Sequence, residues 1–284
     1  EGAMGHNIGR NAAVLSNLPL TVGGTTVNRY CSSGLQSISM AASQIMAGCY
    51  DTVIAGGVEQ ITMLSGKQNM DGFVNEKLAE SHPGIYHPMG MTAECVANRY
   101  NVSRETQDEI AFESQTRTAA AQEAGKFDDE IIETTTSMGV MDRETKEISF
   151  QNITLNKDQG NRPSTVIEGL SGLNPVIDNG YITAGNASQL SDGASACVLM
   201  EAATAAKHAV TPLGIYRGMA VAGCEPDEMG IGPIYAIPKL LKQHGLKMSD
   251  IGLWELNEAF AVQVLYCRDK LGIPNENLKI LFIL

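Results

Sequence analysis

The stretch Asn28-Arg29-Tyr30-Cys31-Ser32-Ser33-Gly34-Leu35 is the most informative part of this chain. The β-prone residues Thr25-Thr26-Val27 precede it, and apolar residues then recur with the spacing of one helix face, at Leu35, Ile38, Ala42, Ile45 and Met46. The pattern therefore places Cys31 at a strand-to-helix turn, one or two residues ahead of the helix. At such a position the first-turn N–H groups lack partners and the helix dipole favours an anion, which favours a nucleophilic thiolate.

Another interpretation of Cys31 is a structural one, because most cysteines in soluble proteins are small buried hydrophobes. Three features oppose it. Cys31 occupies a turn, the small residues Ser32, Ser33 and Gly34 leave room for a substrate, and the following helix is rich in Ala, Ser and Gly. The residues by themselves leave both interpretations open.

Composition limits the possible partners of the protein. The 284 residues can bury one or two cores, and a net charge of −12 argues against nucleic acid or an anionic membrane as the main partner. The six cysteines form no CxxC pair and no Cys/His cluster, so we expect no metal site and reduced thiols in an intracellular protein. No apolar run approaches the roughly 20 residues needed to span a bilayer.

The first part of the chain alternates between strand and helix patterns. A helix is predicted over residues 32–47, ending at Gly48, and an apolar strand over residues 50–57. Together with Thr25–Val27, this order predicts a parallel sheet with a right-handed crossover.

The middle of the chain has a looser pattern. Residues 63–90 are polar and loop-like, a helix begins near Ser103 and runs toward Ala124, and residues 152–163 are again irregular. This change in sequence pattern predicts an inserted domain over residues 63–185.

Alternation resumes from residue 186. Strand patterns cover residues 194–200 and 254–256, and helix patterns cover residues 201–208, 238–244 and 257–272. These segments predict a second unit of the strand–helix–strand type.

Two further junctions carry polar or small residues. Asn257, in Asn257-Glu258-Ala259-Phe260-Ala261, follows a predicted strand, where an asparagine can hold a water or a carbonyl oxygen. A structural helix N-cap is the alternative role for Asn257. The small residues of Ile182-Thr183-Ala184-Gly185-Asn186-Ala187-Ser188 allow close approach of a ligand, although a plain turn explains them as well.

Taken together, these motifs resemble the thiolase family, in the family's order and over residues 1 to about 277. These motifs are most similar to those of the 3-ketoacyl-CoA thiolases, and the acetoacetyl-CoA thiolases are similar as well. The matching elements are Asn-Arg-Tyr-Cys-Ser-Ser-Gly (28–34), Ala-Gly-Gly-Val-Glu (55–59), Met-Gly-Met-Thr-Ala-Glu (89–94), Ile-Thr-Ala-Gly-Asn-Ala-Ser (182–188), Met-Gly-Ile-Gly-Pro (229–233) and Asn-Glu-Ala-Phe-Ala (257–261).

The resemblance implies an α/β fold of two similar βαβ-type halves, layered α-β-α-β-α, with an inserted loop domain. Residues 1–62 would then be part of the N-terminal half with the nucleophilic cysteine, and residues 63–185 the loop domain that binds CoA. Residues 186–284 would hold the remainder of the N-terminal half and part of the C-terminal half.

The resemblance also implies a reversible acyl transfer, with an expected place in the β-oxidation of fatty acids. Cys31 would attack a 3-ketoacyl-CoA, release acetyl-CoA and carry the acyl group until a second CoA removes it. In reverse, two acyl-CoA molecules condense. Asn257 would hold a water in one oxyanion site, and the backbone N–H of Cys31 would contribute to the other.

The substrate, partners and compartment are implied by the same resemblance. Met89, Ala184, Gly185, Ser188 and Phe260 match family positions that line the channel for the pantetheine of CoA. Coenzyme A would be a substrate and not a tightly bound cofactor. We expect a homotetramer or homodimer in the cytoplasm, or in the mitochondrial or peroxisomal matrix of a eukaryote.

Departures from the family pattern give a second hypothesis. The family's Gly-His-Pro motif, whose His activates the nucleophile, and its later Cys-x-Gly motif do not occur in this sequence. We therefore expect a chain truncated at both ends, with no measurable thiolysis by the chain itself. The alternative function is a catalytically dead fragment that only binds acyl-CoA or partner subunits. The apolar tail Ile280–Leu284 is expected to promote aggregation if it is unpaired.

A β-ketoacyl synthase is the third hypothesis, since that family also places a cysteine at a helix start. It uses two histidines, or a histidine and an asparagine, in other motifs. The string Asn-Glu-Ala-Phe-Ala at residues 257–261 favours the thiolases.

Overall fold

The structure is a computed structural model that describes residues 6–279. Its internal contacts divide the chain into two units. The first comprises residues up to Asn75 together with Leu190–Val221, and the second Glu76–Gln189 together with the residues from Ala222 onward. The division predicted from the sequence, at residues 62 and 185, stays a prediction, and the expectation for the tail from residue 280 to residue 284 lies outside the described residues.

The secondary structure mixes short strands with helices throughout the described chain. The helices are α1 (Ile8–Leu15), α2 (Ser33–Met46), α3 (Ile61–Leu64), α4 (Glu76–Ser81), α5 (Met89–Tyr100), α6 (Arg104–Glu123), α7 (Ile167–Ser171), α8 (Ala202–Lys207), α9 (Pro233–His244) and α10 (Ala261–Leu271). The strands are β1 (Thr52–Glu59), β2 (Thr134–Met141), β3 (Ile148–Leu155), β4 (Gly193–Met200), β5 (Trp254–Glu255) and β6 (Leu278–Lys279). Short 3-10 helices cover Pro83–Tyr86, Pro226–Ile231 and Met248–Asp250.

The first unit is built around helix α2 and strand β1. The Ser37 hydroxyl donates to the carbonyl oxygen of Gly56 at 2.9 Å, which ties the helix to the strand. A Cβ on Gly57 would lie only 3.7 Å from the Cα of Gly34, so the start of the helix approaches the strand backbone closely. Helix α2 ends with Ala47 as C-cap and Gly48 at φ +72°, which confirms the predicted helix and its terminating glycine.

The sheet of the first unit differs from the prediction. Strand β1 pairs antiparallel with β4, from Thr52 opposite Met200 to Glu59 opposite Gly193. Residues 25–27 lie outside any strand, so the predicted parallel pairing of this segment with β1 is wrong within the described chain. Thr26 instead bonds the start of α1, because its hydroxyl donates to Asn7 Oδ1 at 2.8 Å and accepts the Gly9 N–H at 3.3 Å.

The second unit contains the helix that the sequence predicted near Ser103. The hydroxyl oxygen of Ser103 accepts the Thr106 N–H at 3.3 Å and caps α6. Strand β3 corrects the prediction of irregular chain from residue 152, because its last residues pair antiparallel with β2, with Leu155 opposite Thr134.

A second strand–helix–strand unit is present, but not with the two strands that the sequence predicted, because β4 pairs with β1 in the first unit. Strands β5 and β6 pair in parallel, with Trp254 opposite Leu278, and α10 connects them. The helix begins at Ala261, four residues later than the pattern suggested. Its end was predicted correctly, since Gly272 adopts φ +66° directly after Leu271.

The apolar core of the second unit is centred on α10. Val262 joins a cluster with α5, and Val264 joins a second cluster with α6 and β6. Both valines are fully buried. The buried core therefore lies directly next to the residues at the start of α10. Among the residues described, no helix combines the length and apolarity required to cross a membrane.

Candidate active site

Cys31 lies in an exposed turn that ends at helix α2. The helix begins at Ser33 with Ser32 as its N-cap, so Cys31 stands two residues ahead of it, as predicted. Its side chain is exposed, and the interpretation of Cys31 as a buried hydrophobe is wrong.

Hydrogen bonds within the turn fix the backbone on both sides of Cys31. The Ser33 hydroxyl donates to the Tyr30 carbonyl oxygen at 2.7 Å, and its oxygen accepts the Arg29 N–H at 2.8 Å. The Tyr30 N–H donates to Asn28 Oδ1 at 2.8 Å. Tyr30 itself adopts φ +46°, a left-handed conformation that is strained for an aromatic residue.

Several backbone N–H groups next to Cys31 in the sequence are available as donors. Within residues 6–279, the N–H groups of Cys31, Gly34 and Leu35 donate no hydrogen bond. Unpaired N–H groups at a helix start attract negative charge. The turn can therefore stabilise the oxygen of a bound carbonyl on which negative charge develops.

In the second unit, the segment Ile182–Ser188 lies against the start of α10. The Ser188 N–H donates to the Ala259 carbonyl oxygen at 3.0 Å, and the Ala261 N–H donates to the Asn186 carbonyl oxygen at 2.9 Å. Ala187 and Phe260 form the antiparallel bridge between these bonds. The structure thus brings two of the sequence motifs together.

The predicted CoA contacts in this unit differ in exposure. Ala184 and Ser188 are exposed, while Gly185 is buried and Phe260 is half-buried. Met89 is exposed at the first position of α5. A Cβ at Gly185 would lie 2.6 Å from Leu173 Cδ1 and 2.7 Å from Leu170 Cδ2, so the glycine permits close packing here.

Asn257 and Glu258 have opposite environments. Asn257 is exposed, and no group in residues 6–279 hydrogen-bonds its side chain. The alternative role as helix N-cap is wrong, because Phe260 occupies that position. Glu258 is buried, and the Ser114 hydroxyl donates to its Oε2 at 2.6 Å.

The predicted site residues lie in both units. Cys31 belongs to the first unit, and the other six belong to the second. Within the second unit, backbone hydrogen bonds join the segment that contains Gly185 and Ser188 to the residues around Phe260. Asn257 lies just before those residues in the sequence.

Three of the other cysteines are less suited to nucleophilic chemistry. Burial raises the pKa of Cys267 to about 12, and burial also raises the pKa of Cys95 and of Cys224. Cys49 and Cys197 are exposed. Over the described range, no group of three His, Cys, Asp or Glu side chains could hold a metal ion.

Sequence reasoning assigned no role to three residues that hold the segment Ile182–Ser188: Arg104, Asp108 and Asn186. Arg104 Nε donates to Asp108 Oδ2 at 2.7 Å, and Asn186 Nδ2 donates to Asp108 Oδ1 at 3.1 Å. The i, i+4 spacing of Arg104 and Asp108 on α6 was a visible signal for an ion pair. The pairing with Asn186 spans a long sequence separation and gave no local signal.

An α/β protein with an exposed cysteine ahead of a helix, and with a tight small-residue segment against a second helix start, fits the acyl-transferring thiolase class. The model of the thiolase N-terminal domain matches residues 1–203, and that of the thiolase C-terminal domain matches residues 210–281. The chain belongs to the thiolase family.

Sequence similarity to two 3-ketoacyl-CoA thiolases supports this assignment. The chain is 46% identical to a 3-ketoacyl-CoA thiolase of Bacillus subtilis, over 99% of this chain and 71% of that protein. It is also 46% identical to a peroxisomal 3-ketoacyl-CoA thiolase A of mouse, over 97% of this chain and 64% of that protein. The chain thus spans about two thirds of the length of these relatives.

Solved structures confirm the thiolase-like α/β fold. The dimeric peroxisomal thiolase of Saccharomyces cerevisiae superposes with a TM-score of 0.84 at 36% identity, covering 96% of this chain and 67% of that one. The human mitochondrial 3-ketoacyl-CoA thiolase superposes with a TM-score of 0.80 at 33% identity, covering 96% and 70%.

Proposed function

We propose that this protein is an acyltransferase that cleaves 3-ketoacyl-CoA by thiolysis, or condenses two acyl-CoA molecules in the reverse direction. The observation that carries the proposal is the exposed Cys31 two residues ahead of α2, in a turn with a left-handed Tyr30. The names of the relatives support the substrate class, because they are 3-ketoacyl-CoA thiolases. This class of reaction belongs to the breakdown of fatty acids.

Cys31 is the nucleophile in this proposal. Its thiolate attacks the keto carbon of the substrate, the bond between that carbon and the α-carbon breaks, and the α-carbon of the departing acetyl-CoA takes up a proton. The acyl group remains on sulfur as a thioester until the thiol of a second CoA attacks it and restores the free cysteine. Negative charge collects on a carbonyl oxygen in each step, and the free N–H of Cys31 is a donor for such an oxygen.

Asn257 is the second proposed catalytic residue. Its amide holds a water that donates to a thioester oxygen as charge develops there. The exposed side chain supports this role, since no protein group in the described chain uses its hydrogen-bonding capacity.

Five residues are proposed to contact the pantetheine arm of CoA: Met89, Ala184, Gly185, Ser188 and Phe260. The packing of Gly185 supports a narrow channel wall, because side chains already fill the space a Cβ would need. The bridge between Ala187 and Phe260 supports a shared surface formed by both motifs. Coenzyme A is a substrate in this scheme, and no tightly bound cofactor is required.

We also propose a homo-oligomer. The dimeric state of the yeast relative favours a dimer over a tetramer as the first assembly to test. Cytoplasm or an organelle matrix is the proposed compartment, and peroxisomal relatives make the peroxisome one candidate.

The first half of the reaction provides the test, since it asks only whether Cys31 accepts an acyl group. The chain is incubated with acetyl-CoA labelled in the acetyl group, quenched in acid, and mapped by peptide mass spectrometry. We expect label on Cys31 in the unchanged chain and in Cys49→Ser, and none at that peptide in Cys31→Ser. Label spread equally over Cys31, Cys49 and Cys197, or absent from Cys31, would contradict the proposal.

A further inference from the structure

The side chain of Asn186 is fully buried, and every hydrogen-bonding group of its amide is used. Its Oδ1 accepts the Thr183 N–H at 2.8 Å. Its Nδ2 donates to the Tyr181 carbonyl oxygen at 3.0 Å and to Asp108 Oδ1 at 3.1 Å. A single side chain therefore closes the loop around Ala184 and Gly185 and anchors that loop to helix α6.

The anchor on α6 is itself fixed by an arginine. Asp108 is buried, and its second oxygen accepts from Arg104 Nε at 2.7 Å. Arg104 Nη2 donates to the carbonyl oxygens of Leu170 and Leu173, at 2.8 and 3.1 Å. Buried charges need such complete pairing, since an unpaired carboxylate in the interior is costly.

Arg104 also positions the two leucines that pack against Gly185. The two leucines whose carbonyl oxygens it holds are those whose methyl groups would meet a Cβ on Gly185. The backbone position of this segment and the packing surface beneath it thus depend on one chain of hydrogen bonds.

The chain of hydrogen bonds extends to the start of α10. The carbonyl oxygen of Asn186 accepts the Ala261 N–H at 2.9 Å, next to the bridge between Ala187 and Phe260. A displacement of Asn186 would therefore move Ser188 and Phe260 together.

We propose that Arg104, Asp108 and Asn186 are positioning residues, a linked set that holds the acyl-CoA-contacting residues Ala184, Gly185, Ser188 and Phe260 in place. This inference rests on the proposed function, because it assigns the set a role in binding CoA. None of the three touches the reacting atoms. Their effect is on the affinity for the pantetheine arm.

Asn186→Asp is the isosteric test. It removes both amide N–H donors and turns a second carboxylate toward Asp108 and the Tyr181 carbonyl oxygen. We expect CoA to bind about tenfold more weakly, as measured by calorimetry with CoA itself. Arg104→Lys is the milder variant, which keeps the charge beside Asp108 but cannot reach both leucine carbonyls as a fork. We expect a loss of about threefold for it.

Arg117→Lys is the matched control. Arg117 lies on the same helix, pairs with Glu113 and donates to the Leu278 carbonyl oxygen at 3.1 Å, but has no bond to the segment Ile182–Ser188. The double variant Asp108→Asn with Asn186→Asp separates positioning from general damage. It exchanges the amide and the carboxylate and restores a donor–acceptor pair between positions 108 and 186, so we expect it to bind CoA more tightly than Asn186→Asp alone.

Each outcome has a distinct meaning. Weaker CoA binding in Asn186→Asp and Arg104→Lys, with recovery in the double variant and unchanged binding in Arg117→Lys, supports the inference. Equal CoA affinity of Asn186→Asp and the unchanged chain would overturn it, and so would strictly additive losses in the double variant. If the unchanged chain binds CoA but never acylates Cys31, the proposed function falls and the inference stands. If it does not bind CoA, both fall.

Discussion

The backbone N–H of Ser188 donates to the carbonyl oxygen of Ala259 at 3.0 Å, so two motifs far apart in the sequence share one surface. Ser188 belongs to the small-residue segment, and Ala259 leads into the helix that forms the core of the second unit. Backbone hydrogen bonds of this kind set positions without depending on side-chain rotamers. The surface proposed to bind CoA is thus attached to the apolar core of its unit.

Alkylation with iodoacetamide should single out Cys31. Cys31 lies two residues ahead of α2, and Cys49 lies just past its end. Both are exposed. The two ends of a helix carry opposite partial charge, and the positive end, near Cys31, favours attack by sulfur more than the negative end, near Cys49. We expect Cys31 to react about fivefold faster, as measured by peptide mass spectrometry over time.

Cys267, the buried thiol, should show the slowest labelling in the same experiment. Burial raises the pKa of Cys267 to about 12, so it should be labelled last. In urea all six cysteines should react at similar rates. Labelling of Cys49 or Cys197 as fast as Cys31 in the folded chain would refute the assignment of a special environment to Cys31.

Acid should weaken the second unit through Asp227. The Arg99 guanidinium donates to this carboxylate at 2.6 Å and holds its pKa below the usual range. A lowered pKa contributes stability above the ordinary pKa of about 4, and this stability is lost as pH falls through the folded value. The pair is partly exposed, so we expect Asp227→Asn to cost less than about 1 kcal/mol at neutral pH.

Urea unfolding at several pH values measures this effect. The difference in free energy of unfolding between the unchanged chain and Asp227→Asn should be constant above about pH 5 and shrink as pH falls below about 4. Asp129→Asn is the control, because Asp129 is exposed and has no hydrogen bond within the described chain. A difference that grows on acidification would contradict the linkage.

Gly180 should not tolerate a side chain. A Cβ there would lie 2.3 Å from Glu94 Oε1 and 2.9 Å from the Ile177 carbonyl oxygen. The Glu94 carboxylate accepts the N–H groups of Tyr181 and Ile182, at 2.8 to 3.0 Å, so a methyl group would displace it. We expect Gly180→Ala to lower the free energy of unfolding by about 2–3 kcal/mol.

Gly252→Ala is the matched substitution, since a Cβ at Gly252 would have open space around it. Its effect should stay within about 1 kcal/mol, and a smaller conformational entropy of the unfolded chain could make it stabilising. Chemical denaturation followed by circular dichroism compares the two variants. Similar losses in both would show that the carboxylate of Glu94 is not held as described.

Local signals predicted the helices well. The period of apolar residues and a terminating glycine gave α2, and the N-cap Ser103 gave the start of α6. Helix α9 shows the limit of such signals. Its start was predicted at Pro238, but the helix begins at Pro233, a residue type that favours the first turn, and Pro238 lies inside the helix.

Long-range pairing explains what the sequence could not predict. Residues 152–155 look irregular by themselves and form a strand only because β2 lies beside them. Thr25–Val27 has the sequence pattern of a strand, but the Thr26 hydroxyl forms hydrogen bonds with Asn7 and Gly9 at the start of α1. The same holds for the candidate site. Cys31 has a local signature at a helix start, whereas the bond between Asn186 and Asp108 depends on the folded chain.

The rate of Cys31 acylation by two thioesters tests the central claim most directly. Acetyl-CoA and S-acetyl-N-acetylcysteamine carry the same acetyl thioester, but only the first has the full pantetheine arm and nucleotide. At equal concentration, the account predicts acetylation of Cys31 that is at least about tenfold faster from acetyl-CoA, with Cys49 acetylated at the same slow rate by both. Equal rates at Cys31 for the two thioesters, or no acetyl group on Cys31, would contradict it.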